Sequence, residues 1–347
     1  MIVLGIETTC DETAASVVCQ GKEIHSNVIA SQSKIHQPFG GVFPEVASRN
    51  HVKALPWVIK QALIEANVSL SHIDLVSVAK GPGLIGPLLI GINGAKALAL
   101  GLKKPFIGVN HVEAHLYAAM MQQKDPIFPS LGLVLSGGHT FLVLILGLGK
   151  YKKIGSTVDD AIGEAFDKVA HLLDLPYPGG PELEKLALQA KECRKNLFKP
   201  GVVKDSAYDF SFSGMKTNVF YSIHGQNGKK TSPCPLTFQE KAEVAYSFQE
   251  AAFKDVVNKS IQAAHAFQCQ AIYIGGGVSN NQRLRALFQE KAPHLSVFWP
   301  PFGLSLDNAA MIAGLGFCLY QQEGKGDSFD LEPQTRIPFS TLCKEMY

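Results

Sequence analysis

Residues 2–18 read Ile-Val-Leu-Gly-Ile-Glu-Thr-Thr-Cys-Asp-Glu-Thr-Ala-Ala-Ser-Val-Val. Ile2 to Ile6 is a continuous apolar run, Glu7 to Thr13 a polar turn and Ala14 to Val18 a second apolar run, the pattern of a hairpin with a polar tip. About 130 residues later it returns: Leu131 to Leu135 enters Ser136-Gly137-Gly138-His139-Thr140 and leaves through Phe141 to Leu146. A strand, small-residue loop and strand repeated at that distance predict two homologous halves, each opening with a hairpin whose tip faces the other across a cleft. Elsewhere helical periods alternate with short strands. Val52, Leu55, Ile59, Ala62, Leu63 and Ala66 share one helix face, with Pro56 marking a kink or a later start, and Ile162, Ala165, Phe166, Val169, Leu172 and Leu173 share another. A long helix is predicted over 236–267, a strand over 271–274, a loop at Gly275-Gly276-Gly277 and a helix over 281–291. Strand and helix alternation makes the fold class α/β.

The 347 residues are 46% hydrophobic and 18% charged, which excludes a disordered or fibrous chain, and the length suits two domains or one duplicated one. With 32 basic and 30 acidic side chains the net charge is +2, too small for the chain to hold nucleic acid by its field alone, so any RNA contact is local or shared with a partner. The seven cysteines show no C-x-x-C spacing, which points away from a disulfide framework or a thiolate zinc site and towards a reducing compartment. The first residues lack a basic presequence, and the longest stretch without Asp, Glu, Lys or Arg, Pro126 to Gly149, is broken by the Ser136 to Thr140 loop. A cytoplasmic protein without a membrane span is expected. Residues 199–235 read as an irregular surface loop, and the polar residues from Gly324 as a tail packed on the surface.

Several clusters carry possible chemistry. His111 and His115 are four apart, a spacing that stacks both imidazoles on one helix face within reach of one metal ion. Glu113, two residues after His111 and so about 200° round the helix, points away from that metal, unlike the base of the H-E-x-x-H zinc peptidases. Asp307 is a candidate third ligand; the competing reading is an ordinary helix N-cap. The Ser136–Thr140 loop and Gly275-Gly276-Gly277 both follow strands, where glycines let backbone N–H groups approach a phosphate. Both also suit plain turns. Glu7, Asp11 and Glu12 crowd the first hairpin tip, placed to orient a cation, a ribose or a proton in transfer, or simply to be solvated. Gly179-Gly180 makes a turn before a helix, and Asp167 has the look of an ordinary helix charge. Lys150, Lys152 and Lys153 with Tyr151, and Arg194, Lys195 and Lys199, form basic clusters that are solvated surface or RNA phosphate contacts.

Taken together, Gly5-Ile6-Glu7-Thr8-Thr9-Cys10-Asp11-Glu12-Thr13, Gly81-Pro82-Gly83-Leu84, Asn110-His111-x-x-x-His115, Ser136-Gly137-Gly138-His139-Thr140, Gly163-Glu164-Ala165-Phe166-Asp167-Lys168, Tyr177-Pro178-Gly179-Gly180-Pro181, Phe210-Ser211-Phe212-Ser213-Gly214, Gly276-Gly277-Val278-Ser279 and Asp307-Asn308-Ala309-Ala310-Met311-Ile312-Ala313 resemble the TsaD/Gcp (YgjD) family, the tRNA N6-adenosine threonylcarbamoyltransferases. The resemblance runs in order from residue 1 to about 320. It implies an actin-like ATPase (actin/hexokinase/Hsp70, ASKHA) fold: an N-terminal subdomain over 1–110, a C-terminal subdomain over 111–323 whose last helix has the option of packing back on the first half, and a tail over 324–347. It further implies transfer of the threonylcarbamoyl group from threonylcarbamoyl-AMP to the N6 amine of adenosine 37 in tRNAs reading ANN codons, with AMP released.

Carried over position by position, the resemblance makes His111, His115 and Asp307 the ligands of one divalent metal, iron(II) first and zinc second. It places Val134, Leu135, Ser136, Gly137 and Gly138 around the substrate phosphate and carbamoyl group. Asp167, Gly180 and Asn281 then surround the adenosine, with Asn280 the alternative to Asn281. Asp11 and Glu12 are the candidates for assisting proton removal from the attacking amine. Implied partners are tRNA, a TsaB-like paralogue and a TsaE-like ATPase, in a bacterial setting. Two other classes compete: a metallopeptidase of the O-sialoglycoprotein endopeptidase type, and a kinase-like ATP-binding protein of the same fold.

Overall fold

The computed structural model describes residues 1–191, 197–204, 206–225 and 236–337. The first half contributes β1 (Ile2–Glu7), β2 (Glu12–Cys19), β3 (Glu23–Ser31), a short α1 (Ser33–His36), α2 (Pro44–Glu65), β4 (Leu75–Gly81), α3 (Ile85–Leu102) and β5 (Phe106–Asn110). The chain continues through α4 (His111–Met120), β6 (Ser130–Leu135), β7 (Thr140–Gly147), β8 (Lys150–Ser156), α5 (Ile162–Leu172), α6 (Gly179–Ala187) and α7 (Ser213–His224). It closes with α8 (Phe238–Ala266), β9 (Ala271–Gly275), α9 (Gln282–Lys291), β10 (Ser296–Phe298) and α10 (Ala309–Glu323). The strands form two five-stranded sheets, β3-β2-β1-β4-β5 and β8-β7-β6-β9-β10. In each sheet the opening hairpin is antiparallel and the last two strands run parallel to the first strand of that hairpin. The predicted duplication is therefore present strand for strand.

The central strands are apolar and buried from end to end, as sheets covered on both faces require. On its outer face the first sheet carries α2 and α3, whose Leu55, Val58, Ala62 and Ile92 interlock with Leu4, Ile6 and Val76. The second sheet is covered by α5, α6, α8 and α9 around Phe166, Phe248, Phe253 and Phe288. Between the sheets lie α4 and α10. α4 packs on β6 and β9, α10 packs on β1, β2 and β4, and the two helices pack on each other. Both are apolar on nearly every face, the composition of a helix with protein all round it.

Two sequence expectations are corrected, and the packed tail is present. The helix around Val52 begins at Pro44, a proline suited to the first turn, and runs unbroken through Pro56. Pro56 lies on the exposed side, where water reaches the Val52 carbonyl it leaves without a partner. Within 199–235 the described residues include α7, anchored by the buried Phe210, Phe212, Met215 and Val219. Its N-terminal cap comes from afar: the Asp159 carboxylate accepts hydrogen bonds from Phe212 N–H (2.8 Å), Ser213 N–H (3.2 Å) and the Ser211 (2.6 Å) and Ser213 (2.7 Å) hydroxyls. No local residue announces that helix. The tail, as far as it is described, straps the first sheet: Asp327 accepts from Gly108 N–H at 2.7 Å and Phe329 packs on Phe106. Residues 338–347 lie outside the described residues, as do Arg194, Lys195, Cys193, Cys234 and Cys343.

The interval 85–102 carries no periodic stripe and forms α3, the one helix among the described residues long and apolar enough to cross a membrane by length and composition. Here it packs on α2 and β4. The basic cluster of β8 has Lys150, Lys152 and Lys153 exposed along the sheet edge with Tyr151 buried beneath, an arrangement that protects an edge strand from pairing.

The closeness of α10 to the first sheet depends on Gly5. A Cβ there would overlap the Ala309 carbonyl oxygen and lie 2.9 Å from Ala313. Gly5→Ala is expected to cost about 1–3 kcal/mol by overpacking, read as a lower denaturant midpoint at unchanged slope. An unchanged midpoint would refute the tight α10 contact.

Candidate metal centre and substrate cleft

His111 and His115 open α4, where Asn110 caps the helix by accepting from the Val112 and Glu113 N–H groups. Asp307 sits just before α10, and the cap of that helix is the next residue, Asn308, which accepts from Met311 N–H at 3.0 Å. The N-cap reading of Asp307 is thereby excluded, and its carboxylate turns to the histidines instead. Asp307 Oδ1 lies 3.5 Å from His111 Nε2 and 3.1 Å from His115 Nε2, and the two imidazoles meet edge to face at 4.6 Å between centroids. Ligand atoms of all three residues fall within 4.8 Å of one another.

His115 Nε2 is buried and, despite its proximity to Asp307, is not aligned for a hydrogen bond. Donor atoms that converge without bonding each other fit a shared cation better than they fit a closed polar network. The ligand set of two imidazoles and one carboxylate suits iron(II) or zinc equally.

Glu7 finishes the arrangement. Its Oε2 lies 2.8 Å from His111 Nδ1, and its Oε1 accepts from Thr9 N–H at 2.6 Å. An Nδ1–H directed at Glu7 fixes the tautomer that leaves the Nε2 lone pair facing Asp307. Burial opposes a charge on His111, but with no cation beside it the Glu7 and Asp307 carboxylates outweigh it and hold its pKa well above the ordinary value, and a metal would bind by taking the place of the Nε2 proton. Glu113 is buried and faces away, towards the Tyr151 hydroxyl and the Gly149 backbone; burial pushes its carboxyl up to about 7.

His111 and Asp307 open on a cleft of about 1270 Å³, with His115 buried behind them. Asp11 and Cys10 from the first hairpin tip, the Ser136–His139 loop from the second, Asp167 and Lys168 from α5 and Tyr177 line its walls. The two hairpin tips thus meet across one space. Ser136 N–H donates to the His139 carbonyl (2.9 Å) and the Ser136 hydroxyl accepts from His139 N–H (3.1 Å), so the loop is rigid without help from its glycines. Gly137 and Gly138 are exposed, have no positive φ, and have nothing within 4 Å of where a Cβ would stand. Neither backbone strain nor packing explains them, whereas a ligand lying close to the chain does. Val134 and Leu135 are buried in β6 behind that loop.

Asp167 accepts from the Gly179 (2.8 Å) and Gly180 (3.1 Å) N–H groups and so ties α5 to the start of α6. It is more than a solvated helix charge: burial raises its pKa against those two hydrogen bonds. Asn281 stands apart from the cleft lining. Its carbonyl caps α9 by accepting from Arg283 and Leu284 N–H, and its amide donates to Gln249 at 2.9 Å, while Asn280 is exposed. Glu12 also lies off the lining; it accepts from the Ser31 hydroxyl at 3.0 Å, and burial with the neighbouring Asp307 and Asp11 charges pushes its carboxyl up to about 9. Burial likewise pushes the Cys10 thiol up, so it is no thiolate nucleophile. Sequence reasoning missed the Glu7 to His111 contact, the wall built from residues 37–42, and Tyr177.

Two equivalent sheets, a two-helix layer between them and a cleft where their hairpin tips converge define the actin-like, two-lobed class. The crystal structure of HypF from T. kodakarensis shares the fold, with a TM-score of 0.61 and 14% identity, covering 93% of this chain and 48% of that one, so this chain spans about half of HypF. The model of the TsaD family, tRNA N6-adenosine threonylcarbamoyltransferase, matches residues 23–314. Proteins of that name from Protochlamydia amoebophila (strain UWE25) and Chlamydia pneumoniae are 56% and 50% identical over 343 and 344 residues, covering 99% of this chain in both cases and 99% and 95% of theirs. The chain belongs to the tRNA N6-adenosine threonylcarbamoyltransferase family.

Glu113 gives a pH test. Its folded pKa of about 7 exceeds the ordinary 4.5, so the folded state keeps a proton that the unfolded chain has already lost, and stability falls as pH rises from the lower value through the higher one, by about 3 kcal/mol in all. Glu113→Gln is expected to flatten that slope and to match or exceed the wild type in alkaline buffer, as read from denaturation midpoints across pH. A second test concerns Glu7. Glu7→Gln should weaken binding of iron(II) or zinc by about 10- to 100-fold through loss of the charge behind His111, measured by competition with a chelating dye. Unchanged affinity would remove Glu7 from the centre.

Proposed function

We propose that the chain transfers the threonylcarbamoyl group from threonylcarbamoyl-AMP to the N6 amine of adenosine 37 in tRNAs reading ANN codons. The observation that carries this reading is that His111 and Asp307 open on the same cleft wall as Ser136, Gly137 and Gly138. In the transfer the amine nitrogen forms a bond to the carbamoyl carbon, the bond from that carbon to the phosphate oxygen breaks, and AMP departs with the electron pair. An acyl phosphate is already activated, so the protein's part is to position the amine and stabilise developing charge. The Ser136–Gly138 backbone and hydroxyl suit the phosphate and carbamoyl oxygens, with Val134 and Leu135 as the buried support of that loop. Asp167 forms the wall for the adenosine of the leaving nucleotide, Gly180 supports it through its N–H, and Asn281 acts there from behind, by holding the start of α9.

His111, His115 and Asp307 would hold one divalent metal, iron(II) or zinc, which when bound supplies a Lewis acid for the carbamoyl oxygen. Of the two acidic candidates for the amine proton we assign Asp11, which faces the cleft. Glu12 stands off the cleft lining and accepts from the Ser31 hydroxyl, so it supports the hairpin tip that carries Asp11 rather than accepting the proton itself.

The modest net charge fits a tRNA surface shared with partners. Exposed Val52, Trp57 and Ile64 on α2 and Ile85, Leu89 and Leu100 on α3 offer an apolar face suited to a TsaB-like paralogue. A TsaE-like ATPase and a cytoplasmic, bacterial setting complete the proposal. The H-E-x-x-H peptidase arrangement is not met, because the glutamate between the two histidines, Glu113, faces away from them.

The test is incorporation of labelled threonine into unmodified tRNA from bicarbonate, ATP and a threonylcarbamoyl-AMP synthase, with and without TsaB-like and TsaE-like partners. Wild type should label the tRNA, and His111→Ala should not. Gly137→Ala should melt with the wild type, because space for the methyl group is open, yet lose at least about tenfold in transfer, a barrier change near 1.4 kcal/mol. No label with all partners present, or chelator-sensitive peptide cleavage, would overturn the reading.

A further inference from the structure

The mouth of the cleft carries features that the transfer chemistry does not use. One lip is the loop Gln37-Pro38-Phe39-Gly40-Gly41-Val42-Phe43 between α1 and α2. It is fixed at its base, where the buried His36 accepts from Phe43 N–H through Nδ1 at 3.3 Å and Pro44 starts α2. Gln37, Pro38, Gly40, Gly41 and Val42 line the cleft, and Phe39 and Phe43 stand 58% and 46% exposed with ring centroids 5.5 Å apart. The other lip is α7, whose Thr217 and Phe220 line the cleft. Phe220 and Tyr221 are 43% and 45% exposed, 6.0 Å between centroids, on a helix held rigidly by the Asp159 cap and the buried Met215 and Val219.

Gly41 repeats the logic of Gly137. It has no positive φ and nothing within 4 Å of a Cβ position, so neither strain nor packing accounts for it. A bare backbone at this point leaves room for a group outside the fold to come close. The charges decide what it is. Lys168 and Lys216, the lysines of the cleft lining, are both paired with Asp160, at 2.7 and 3.0 Å, so the mouth offers few free cations for phosphates. What it offers is ring faces and bare backbone, the surface that unpaired nucleobases recognise.

We propose that the 37–43 loop and α7 form a stacking clamp for the unpaired bases flanking the acceptor adenosine, with Phe43 and Phe220 as the principal platforms. This rests on the reading of an RNA adenosine as acceptor, and adds to it the part of the protein that splays the loop so that one base reaches the metal centre. Stacking on π-faces tolerates any base, so one clamp serves tRNAs whose loops differ in sequence.

The experiment uses the full chain with its partners and an unmodified tRNA transcript, and compares Phe43→Leu, Phe220→Leu and Gly41→Val with Phe43→Trp and Phe220→Trp. The leucine variants keep apolar volume and lose the π-face, and Gly41→Val crowds the approach at a site where the fold has room. The KM for tRNA is expected to rise roughly 5- to 100-fold in the leucine and valine variants. The KM for threonylcarbamoyl-AMP should move less than about twofold, and the tryptophan variants should recover wild-type tRNA dependence, as aromatic faces stack interchangeably. Anisotropy of a labelled anticodon stem-loop reads the clamp without the chemistry. If transfer is absent but stem-loop binding still depends on Phe43 and Phe220, the clamp stands and the acceptor reading fails. Unchanged KM and unchanged stem-loop binding in the three variants would overturn the clamp. So would loss of partner association with stem-loop binding intact, which would make the rim a protein contact.

Discussion

The packing of α4 against α10 between the two sheets is the constraint on which the rest depends. α4 leans on strands of both sheets, and α10, from the far end of the chain, lies on the first sheet and against α4, so the lobes share a buried layer rather than an interface. The approach is close enough that Gly5, Gly314 and Gly316 are the only size of residue that fits where they stand: a Cβ at 314 would lie 2.6 Å from the Tyr117 ring and one at 316 would overlap the Ser77 hydroxyl. Ser77 Oγ in turn donates to the Ile312 carbonyl at 2.7 Å, a buried bond from the first sheet into α10. Because both helices begin at the same end of this layer, His111 and His115 at the start of one meet Asp307 at the start of the other.

That meeting point concentrates acidic groups. Glu7, Asp11, Glu12 and Asp307 converge from the first hairpin and the α10 entrance, and desolvation leaves them little water to spread their charge. Without a cation, His111 answers Glu7 and Asp307 and Glu12 keeps its proton; a divalent cation would replace the His111 proton as the counter-charge to Asp307. The same burial has an unrelated result on the opposite face of α4, where Glu113 is matched to Tyr151 and Gly149 instead of to a ligand. Glu113, though it lies between the two histidines on α4, thus has a separate duty, set by the side of the helix from which it departs.

The cleft also shows how glycines divide by cause. Those of the central layer are required by close approach of helix and strand. On the cleft walls Gly83 and Gly179 are again required by close approach, whereas Gly41, Gly137 and Gly138 have open space around a would-be Cβ and no positive φ, and so mark where the fold leaves room for something it does not contain.

Much of this was legible in the residue order. Strand identity, the repeated hairpin and the i, i+4 histidine pair are local properties, fixed by periodicities of two and 3.6 and by turn chemistry. Motif order placed the chain in its family before any coordinate. What the order could not carry was anything decided by residues far apart. Asp307 was indistinguishable from a helix cap until Asn308 took that position; α7 was invisible because its cap, Asp159, lies more than 50 positions upstream of it; Glu7 seemed one of three similar acids until it faced a histidine 104 positions away. The sequence by itself determined which elements form and which chemical groups they carry. Only the tertiary structure decided which groups share a buried space, because burial, and with it the strength of every charge and hydrogen bond in that space, belongs to the packing of distant segments and to no single stretch of chain.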